Sequence, residues 1–445
     1  MIPGANAASR GRFDGARVLC WYLGLLLLIP ARLIIAGLPI KIAPAVVAAA
    51  LVGLLWLGVQ MTSTLSVAKG RNIVRTALGL LFAGFLMTYA VATRRYMEPE
   101  QLNLADSGMI RITGILTAGL FACDCVRGRF QIDRVLKVFV GITAVVSAVG
   151  ILQFASFDLI PYVNIPGLKM GTDNFSYVLS RSSFNRPSGT ANHPIEFGVL
   201  CAAALPISIH YVLFAKDDGR SAARWWMALI LIGGGGLLSL SRTAIIGLLI
   251  TIIVLLVTLP RHQKVVVGIV GGLFLTAVGV AVPGLLGTLL GLFTGFAEDS
   301  SITHRTNDYP TAFVQVDLHP LLGRGFGTYL PTIQLLDNQF LLTMIENGYI
   351  GLLLLTGVFV AGSFAALRAR ALLRDTRARN LGAALFTCML VLVVGTLTFD
   401  LISFGMAAGM LFVLVGITGA FVRSAREERA AGRHRPAAGE QKVLT

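Results

Sequence analysis

Charge is what this sequence has least of. Of its 445 residues only 13% are Asp, Glu, Lys or Arg, while 55% are hydrophobic; a soluble domain carries roughly a quarter charged residues. The deficit excludes an ordinary water-soluble globule and makes lipid the solvent for much of the surface. Cysteine is scarce as well. Cys20, Cys201 and Cys388 fall inside apolar runs and read as small hydrophobes. Cys123 and Cys125 are separated by one residue, beside a basic turn with no further ligand nearby, so neither a disulfide framework nor a metal site is expected. His193, His304 and His319 are scattered through loops without a metal-binding spacing. No metal and no cofactor is expected. The net charge of +15 comes without a basic stripe interleaved with aromatics, which argues against nucleic acid. No clear cleavage site follows the first apolar run, so a cleavable signal is not expected either.

What the chain has is long apolar runs, near 17–37, 42–60, 72–92, 109–126, 135–155, 194–214, 225–239, 242–260, 264–283, 339–367, 381–399 and 401–422. A span needs about 20 such residues. The pattern predicts an all-α polytopic membrane protein with about twelve transmembrane helices. Run 225–239 is short, and 339–367 is long enough to tilt or to begin outside the membrane.

Lys and Arg then assign the sides. With Arg10, Arg12 and Arg17 inside, every second connection should be basic. Lys69, Arg71 and Arg75 meet that test, as do Arg127, Arg129, Arg134 and Lys137. Lys216, Arg220 and Arg224 follow, then Arg261 and Lys264, then Arg368, Arg370, Arg374, Arg377 and Arg379, and finally Arg423, Arg426, Arg429, Arg433, Arg435 and Lys442. The expected organisation is a cytoplasmic N-terminus 1–16, N-terminal transmembrane helices 17–155, a first long external loop 156–193, central helices 194–283, a large external loop 284–338, C-terminal helices 339–422 and a basic cytoplasmic tail 423–445. The protein is expected in a bacterial plasma (inner) membrane with both termini cytoplasmic.

Four basic residues stand outside that series on the outer side: Arg181 and Arg186 in RSSFNRPSGTANHP, Arg242 in LSLSRTAIIG and Arg305 in SITHRTNDYP. A guanidinium beside lipid is costly unless paired. Arg242 is therefore either an interfacial arginine held by a structural carboxylate or a ligand-binding group. As a set, such forks suit phosphate or diphosphate. HPLLGRGFGTYLP places Gly323, Gly325 and Gly327 at alternating spacing, without the strand or the Lys-Ser/Thr pair of a nucleotide loop, and reads as a packing turn. In LLDNQFLLTMIENGYIGLLLL, either Asp337 or Asn338 could cap the helix that follows. Glu346 lies deeper, as a functional carboxylate or as the partner of an arginine. Gly348 and Gly351 suit close helix packing. Asp400 reads as an exposed turn residue.

Taken in order, LSLSR, a long external loop with an Arg, HPLLGRGFGTY and DNQFLLTMIENGYIGL resemble the O-antigen ligase and polymerase superfamily, over roughly residues 180–360. The resemblance implies a GT-C-like glycosyltransferase that works at the outer membrane face. It would take a glycan from undecaprenyl diphosphate and pass it to an acceptor sugar by an inverting displacement, without nucleotide sugar or metal. Arg242 and Arg305 match the two arginines that hold the diphosphate, and Arg186 matches a further basic position. In ligases of the superfamily a His precedes the Asn of the late motif; here that position is Asp337, which tilts the expectation towards polysaccharide polymerisation. A carboxylate can accept the acceptor proton in its place. Arg181, Asn338 and Glu346 are expected to support the site. The implied partners are the carrier-linked glycan, an acceptor glycan or glycolipid, membrane lipid and other envelope-assembly proteins. A ligase with a different acceptor is the alternative within the family. A lipid or polysaccharide transporter is the alternative from another class, although no matched halves with broken helices are visible. A non-catalytic scaffold would leave the arginines unexplained.

Overall fold

The computed structural model describes residues 14–38, 41–62, 70–171, 179–181, 183–215, 221–294, 300–330 and 332–433. Of the basic residues used above, Arg10, Arg12, Lys69, Lys216, Arg220, Arg435 and Lys442 lie outside the described residues, as do the side chains of Arg181, Arg305 and Arg433.

The chain is an all-α membrane bundle. In order it forms α1 (Gly15–Leu28), α2 (Pro44–Met61), α3 (Ile73–Ala92), α4 (Pro99–Cys125), α5 (Gly128–Phe154), α6 (Pro194–Leu213), α7 (Ala223–Leu238), α8 (Arg242–Thr258), α9 (Arg261–Ala281), α10 (Leu285–Thr294), α11 (Ser300–Leu318), α12 (Gln339–Leu372), α13 (Thr376–Thr398) and α14 (Gly405–Arg433). Among the described residues, nine helices are long and apolar enough to cross a membrane. Four shorter apolar helices, α1, α7, α8 and α10, accompany them. Helix α14 sits at the centre, most of its apolar stretch being buried, whereas α9 buries no residue and faces outward along its length. α14 crosses α4 at Gly119 and Gly416, where a side chain on either glycine would strike the other helix's backbone.

The first apolar run departs from its expected bounds. Helix α1 ends at Leu28 rather than continuing to residue 37, because Pro30 holds Ile29 in an extended conformation. The residues beyond form β1 (Leu33–Ile35), which pairs antiparallel with β2 (Leu168–Met170), Ile34 opposite Lys169. A hairpin of β3 (Leu179–Arg181) and β4 (Phe184–Arg186) follows in the same loop. Its exit is clamped by Gln153, whose Oε1 accepts from the backbone N–H groups of Ser188 (3.1 Å) and Gly189 (2.7 Å).

Charge divides the two ends of the bundle. At one end Arg134 pairs with Asp14 (2.5 Å), Arg129 with Asp375 (2.7 Å) and Arg377 with Asp133 (3.5 Å). Buried Asp124 accepts from Trp56 Nε1 (3.1 Å) and Gln60 (3.0 Å) and faces Arg75 (3.4 Å). These contacts tie the basic connections to one another. The β-strands and the large late loop gather at the opposite end. There α10 docks through Leu285, Leu289 and Leu292 onto Leu237, Leu238 and Leu240, and α11 docks through Ala312 and Val316 onto Tyr329, Leu336, Leu341 and Ile345.

The long run beginning at residue 339 contains a break. Helix α12 is interrupted at Gly348 (φ 64°, ψ −169°), which strands backbone groups on both sides. The glycine-rich segment fills them. Tyr349 and Ile350 donate their N–H groups to the carbonyls of Pro320 (2.8 Å) and Leu321 (3.3 Å), while Arg324 and Gly325 donate to Ile345 (3.0 Å) and Glu346 (2.8 Å). Gly348 and Gly323 each have positive φ, and a side chain on either would collide with the backbone facing it. Gly348→Ala therefore combines left-handed backbone strain, of order 1–3 kcal/mol, with a steric clash. We expect this variant to lose several degrees of thermal midpoint in detergent, followed by size-exclusion of heated samples. Unchanged thermostability would mean the break is not held by this exchange.

Candidate active site

The end that carries the long loops also carries the sequence-predicted residues, and the local structure explains each placement. Leu240 has a positive φ of 48°, a left-handed turn that ends α7 and lets the chain enter α8 at Arg242. Arg242 Nε donates to the carbonyl of Leu292 (2.8 Å) in the last turn of α10, so a backbone carbonyl takes one side of its fork. The neighbouring Thr243 hydroxyl bonds that of Thr398 (2.7 Å) at the end of α13. From there the chain turns through residues 399–404, and this turn is stitched to the start of α12. Gln339 N–H donates to the Phe399 carbonyl (3.2 Å), and Gln339 Oε1 accepts from Ile402 N–H (2.8 Å).

Asn338, not Asp337, caps α12: its Oδ1 accepts from the N–H groups of Phe340 (3.0 Å) and Leu341 (3.2 Å). Asp337 is half-buried just ahead of the cap and lies within electrostatic reach of Asp400. Asn338 Nδ2 also reaches the Tyr309 hydroxyl (3.4 Å), which sets α11, the helix that carries Arg305, against the mouth of α12. Glu346 is buried and accepts from the backbone N–H groups of Tyr329 (3.2 Å) and Gly327, with Arg111 and Arg324 nearby. It anchors the glycine loop. Arg186, at the end of β4, faces His193 together with Arg32. Burial and those two guanidiniums push the His193 imidazole down to about 4, and its Nδ1 accepts from Ile195 N–H (3.1 Å). It is neutral at physiological pH and adds no positive charge. Arg181 has its backbone in β3.

Several participants were missed in the sequence. Arg111 lies near the middle of α4, donates to the Ser403 carbonyl (2.8 Å) and stands among the carboxylates of Asp400, Glu346 and Glu196. Glu196, in the first turn of α6, accepts from the N–H groups of Asn192 (3.0 Å) and Ala407 (3.0 Å). Arg324 donates to Gln315 (2.8 Å) and lies over the Tyr329 ring. Each was visible as a lone ionisable residue within or beside an apolar run, which is the signal to follow. Asp400 is likewise no simple exposed turn residue. It is half-buried, and its carboxyl is raised to about 6, chiefly by burial, with Asp337 adding repulsion and Ser403 and Arg111 opposing. Among the described residues no group of three or more His, Cys, Asp or Glu is placed to hold a metal ion.

The chemistry available is thus a pair of carboxylates that interact, Asp337 and Asp400, with the Arg111 guanidinium near Asp400. Because the folded-state value of Asp400 lies above the ordinary carboxylate value of about 3.9, folding binds a proton between those two pH values. Its contribution to stability is therefore present at low pH and lost as pH rises through about 6. Asp400→Asn is expected to raise the thermal midpoint at pH 7.5 by the equivalent of about 1 kcal/mol, after discounting for solvent screening, and to leave it unchanged near pH 4. Melting curves of both proteins at the two pH values check this; a lower midpoint at pH 7.5 would show that the ionised carboxylate is held rather than strained.

Comparison with known proteins bears on the same region. Residues 227–356 match the model of the O-antigen ligase family. No curated protein matches the chain. The matched segment runs from α7 to the first half of α12 and includes Arg242, Arg305, Asp337, Asn338 and Glu346, while Arg111, Arg186 and Asp400 fall outside it. Across residues 227–356, this multi-pass membrane protein is similar to the O-antigen ligase family.

Proposed function

We propose that the protein transfers a glycan from an undecaprenyl-diphosphate carrier to an acceptor sugar at the outer face of a bacterial plasma membrane, lengthening a polysaccharide chain. The observation that carries the reading is that Arg242, tied to the end of α10 and next to Thr243 on the end of α13, and the α11 helix bearing Arg305, set against Asn338, lie on elements joined to the start of α12, where Asp337 is within electrostatic reach of Asp400. The paired, basic end of the bundle is the cytoplasmic one on this reading, with both termini inside.

In the proposed reaction the acceptor hydroxyl attacks the anomeric carbon as the bond to the carrier diphosphate breaks. Asp337, ahead of the capped helix, takes the hydroxyl proton, and undecaprenyl diphosphate departs with the negative charge. Arg242 and Arg305 hold that diphosphate, with Arg186 beside them. Fixed guanidiniums favour the transition state because charge on the leaving group grows as the bond lengthens. Arg111 holds the 399–404 turn, which carries Asp400, in place through Ser403. Asp337, standing where superfamily ligases have His, favours polymerisation over transfer to a distinct acceptor.

Purified protein in nanodiscs, supplied with undecaprenyl-diphosphate oligosaccharide from the same cells, should yield longer carrier-linked chains by gel and mass spectrometry. Arg242→Lys should lower turnover by about 10²-fold or more, since a point charge does not replace a planar fork. Asp337→Asn should lower it by about 10²- to 10⁴-fold, and Asp337→His should restore part of it. Transfer to an added distinct acceptor would make the protein a ligase. Movement of intact glycan across the bilayer without covalent change would make it a transporter, and full activity of Asp337→Asn would place the base elsewhere.

A further inference from the structure

Far from the carboxylates, at the end where the basic connections meet, a cavity of about 870 Å³ opens between α5 and α7. Its two halves differ in chemistry. Arg134, Lys137, Arg224 and Arg377 line the lip, where Asp14 pairs with Arg134 and Asp133 with Arg377. From Lys137 the wall continues along one face of α5 as Gly141, Ala144 and Ala148, opposite Ala228 and Leu231 of α7. Those positions recur every three or four residues, so they form a continuous apolar stripe. At 1.5 Å per residue it runs about 16 Å from Lys137. That is close to the depth of one leaflet, half of a hydrocarbon core about 30 Å thick.

The lip also holds donors without acceptors. Arg224 stacks over the Trp225 ring (4.7 Å), and among the described residues its buried Nε and Nη2 atoms meet no hydrogen-bond partner, nor does Trp225 Nε1. Buried donors are rarely left unsatisfied, least of all those of a charged group. Both residues line a lip of basic side chains above an apolar trough, and together they describe one ligand: an acceptor-rich anion attached to an acyl chain.

We propose that this groove binds an anionic glycerophospholipid, its phosphate at Arg224, Trp225 and Lys137 and one acyl chain along Gly141, Ala144 and Ala148. A free phosphate would leave the apolar half unused, and a zwitterionic headgroup would bring a cation against a lip lined by four basic side chains. The site is separate from the glycan-transfer end and does not depend on that reading.

The test is native mass spectrometry of the delipidated full chain titrated with dioleoyl phosphatidylglycerol, dioleoyl phosphatidylcholine or inorganic phosphate. Phosphatidylglycerol should bind tightly at one site per chain and outcompete phosphatidylcholine. Removing the two lip cations in Arg224→Ala/Lys137→Ala should weaken it about 25-fold, about fivefold per cation. Gly141→Trp, which adds bulk where nothing lies within 4 Å of a side chain, should block the trough with the lip intact and cost a similar factor. Should the double variant fail to purify as a single species, Gly141→Trp decides alone. Equal retention of the two lipids, undiminished phosphatidylglycerol binding in either variant, or displacement of the lipid by millimolar inorganic phosphate would overturn the proposal.

Discussion

Backbone groups freed inside an apolar bundle have no water to turn to, and the candidate site depends on how one such set is satisfied. Helix α12 breaks at Gly348, and the chain between Pro320 and Gly325 supplies both the carbonyls and the N–H groups that the break leaves open. Once this segment is pinned, Glu346 can receive the amides of Gly327 and Tyr329. Tyr329 joins Ala312 and Val316 in a small core that holds α11. The start of α12, with Asp337 and the Asn338 cap, is fixed between that core and the 399–404 turn. A polar loop that would otherwise wander over the membrane surface becomes a wall of rigid elements.

The two ends of the bundle use the same residue types for opposite purposes. At the basic end, arginines are matched by Asp14, Asp124, Asp133 and Asp375, and those pairs hold connections together. Hydrogen bonding to Arg129 and to the first amides of α13 holds the Asp375 carboxyl below its ordinary value. At the other end Asp400 is raised and His193 lowered, both chiefly by burial. Protonation states strained in this way belong to sites that do chemistry or bind charge, as well as to structural networks. Here the strained groups lie beside the segment that matches a glycan-transferring family.

Hydropathy and the alternation of basic connections were legible at once, because each is a property of successive residues and survives any tertiary arrangement. The glycine run was legible as a packing turn, since three glycines at alternating spacing lacked the surroundings of a nucleotide loop. Arg242 and Asp337 could be marked as candidates, because an ionisable residue at the edge of an apolar run demands a partner. Which partner was not legible. Asn338 and Asp337 compete for the same cap on paper, and only the geometry of the first turn assigns it to Asn338. The first apolar run, too, was read nine residues past its helix, although Pro30 marked the stop.

By itself, then, the sequence determined an all-α polytopic membrane protein with loops of uneven length and a segment that resembles the O-antigen ligase family, since these follow from local composition and from the order of short motifs. The tertiary structure decided who meets whom. Arg111 reaches Ser403 across 292 positions of sequence, Glu196 receives the amide of Ala407 across 211, and Asp400 comes within reach of Asp337 where Gln339 ties the start of α12 to the turn between the last two helices. Such contacts are created by packing between distant segments, where burial shifts charges and orphaned backbone groups seek partners. No window along the chain contains that information.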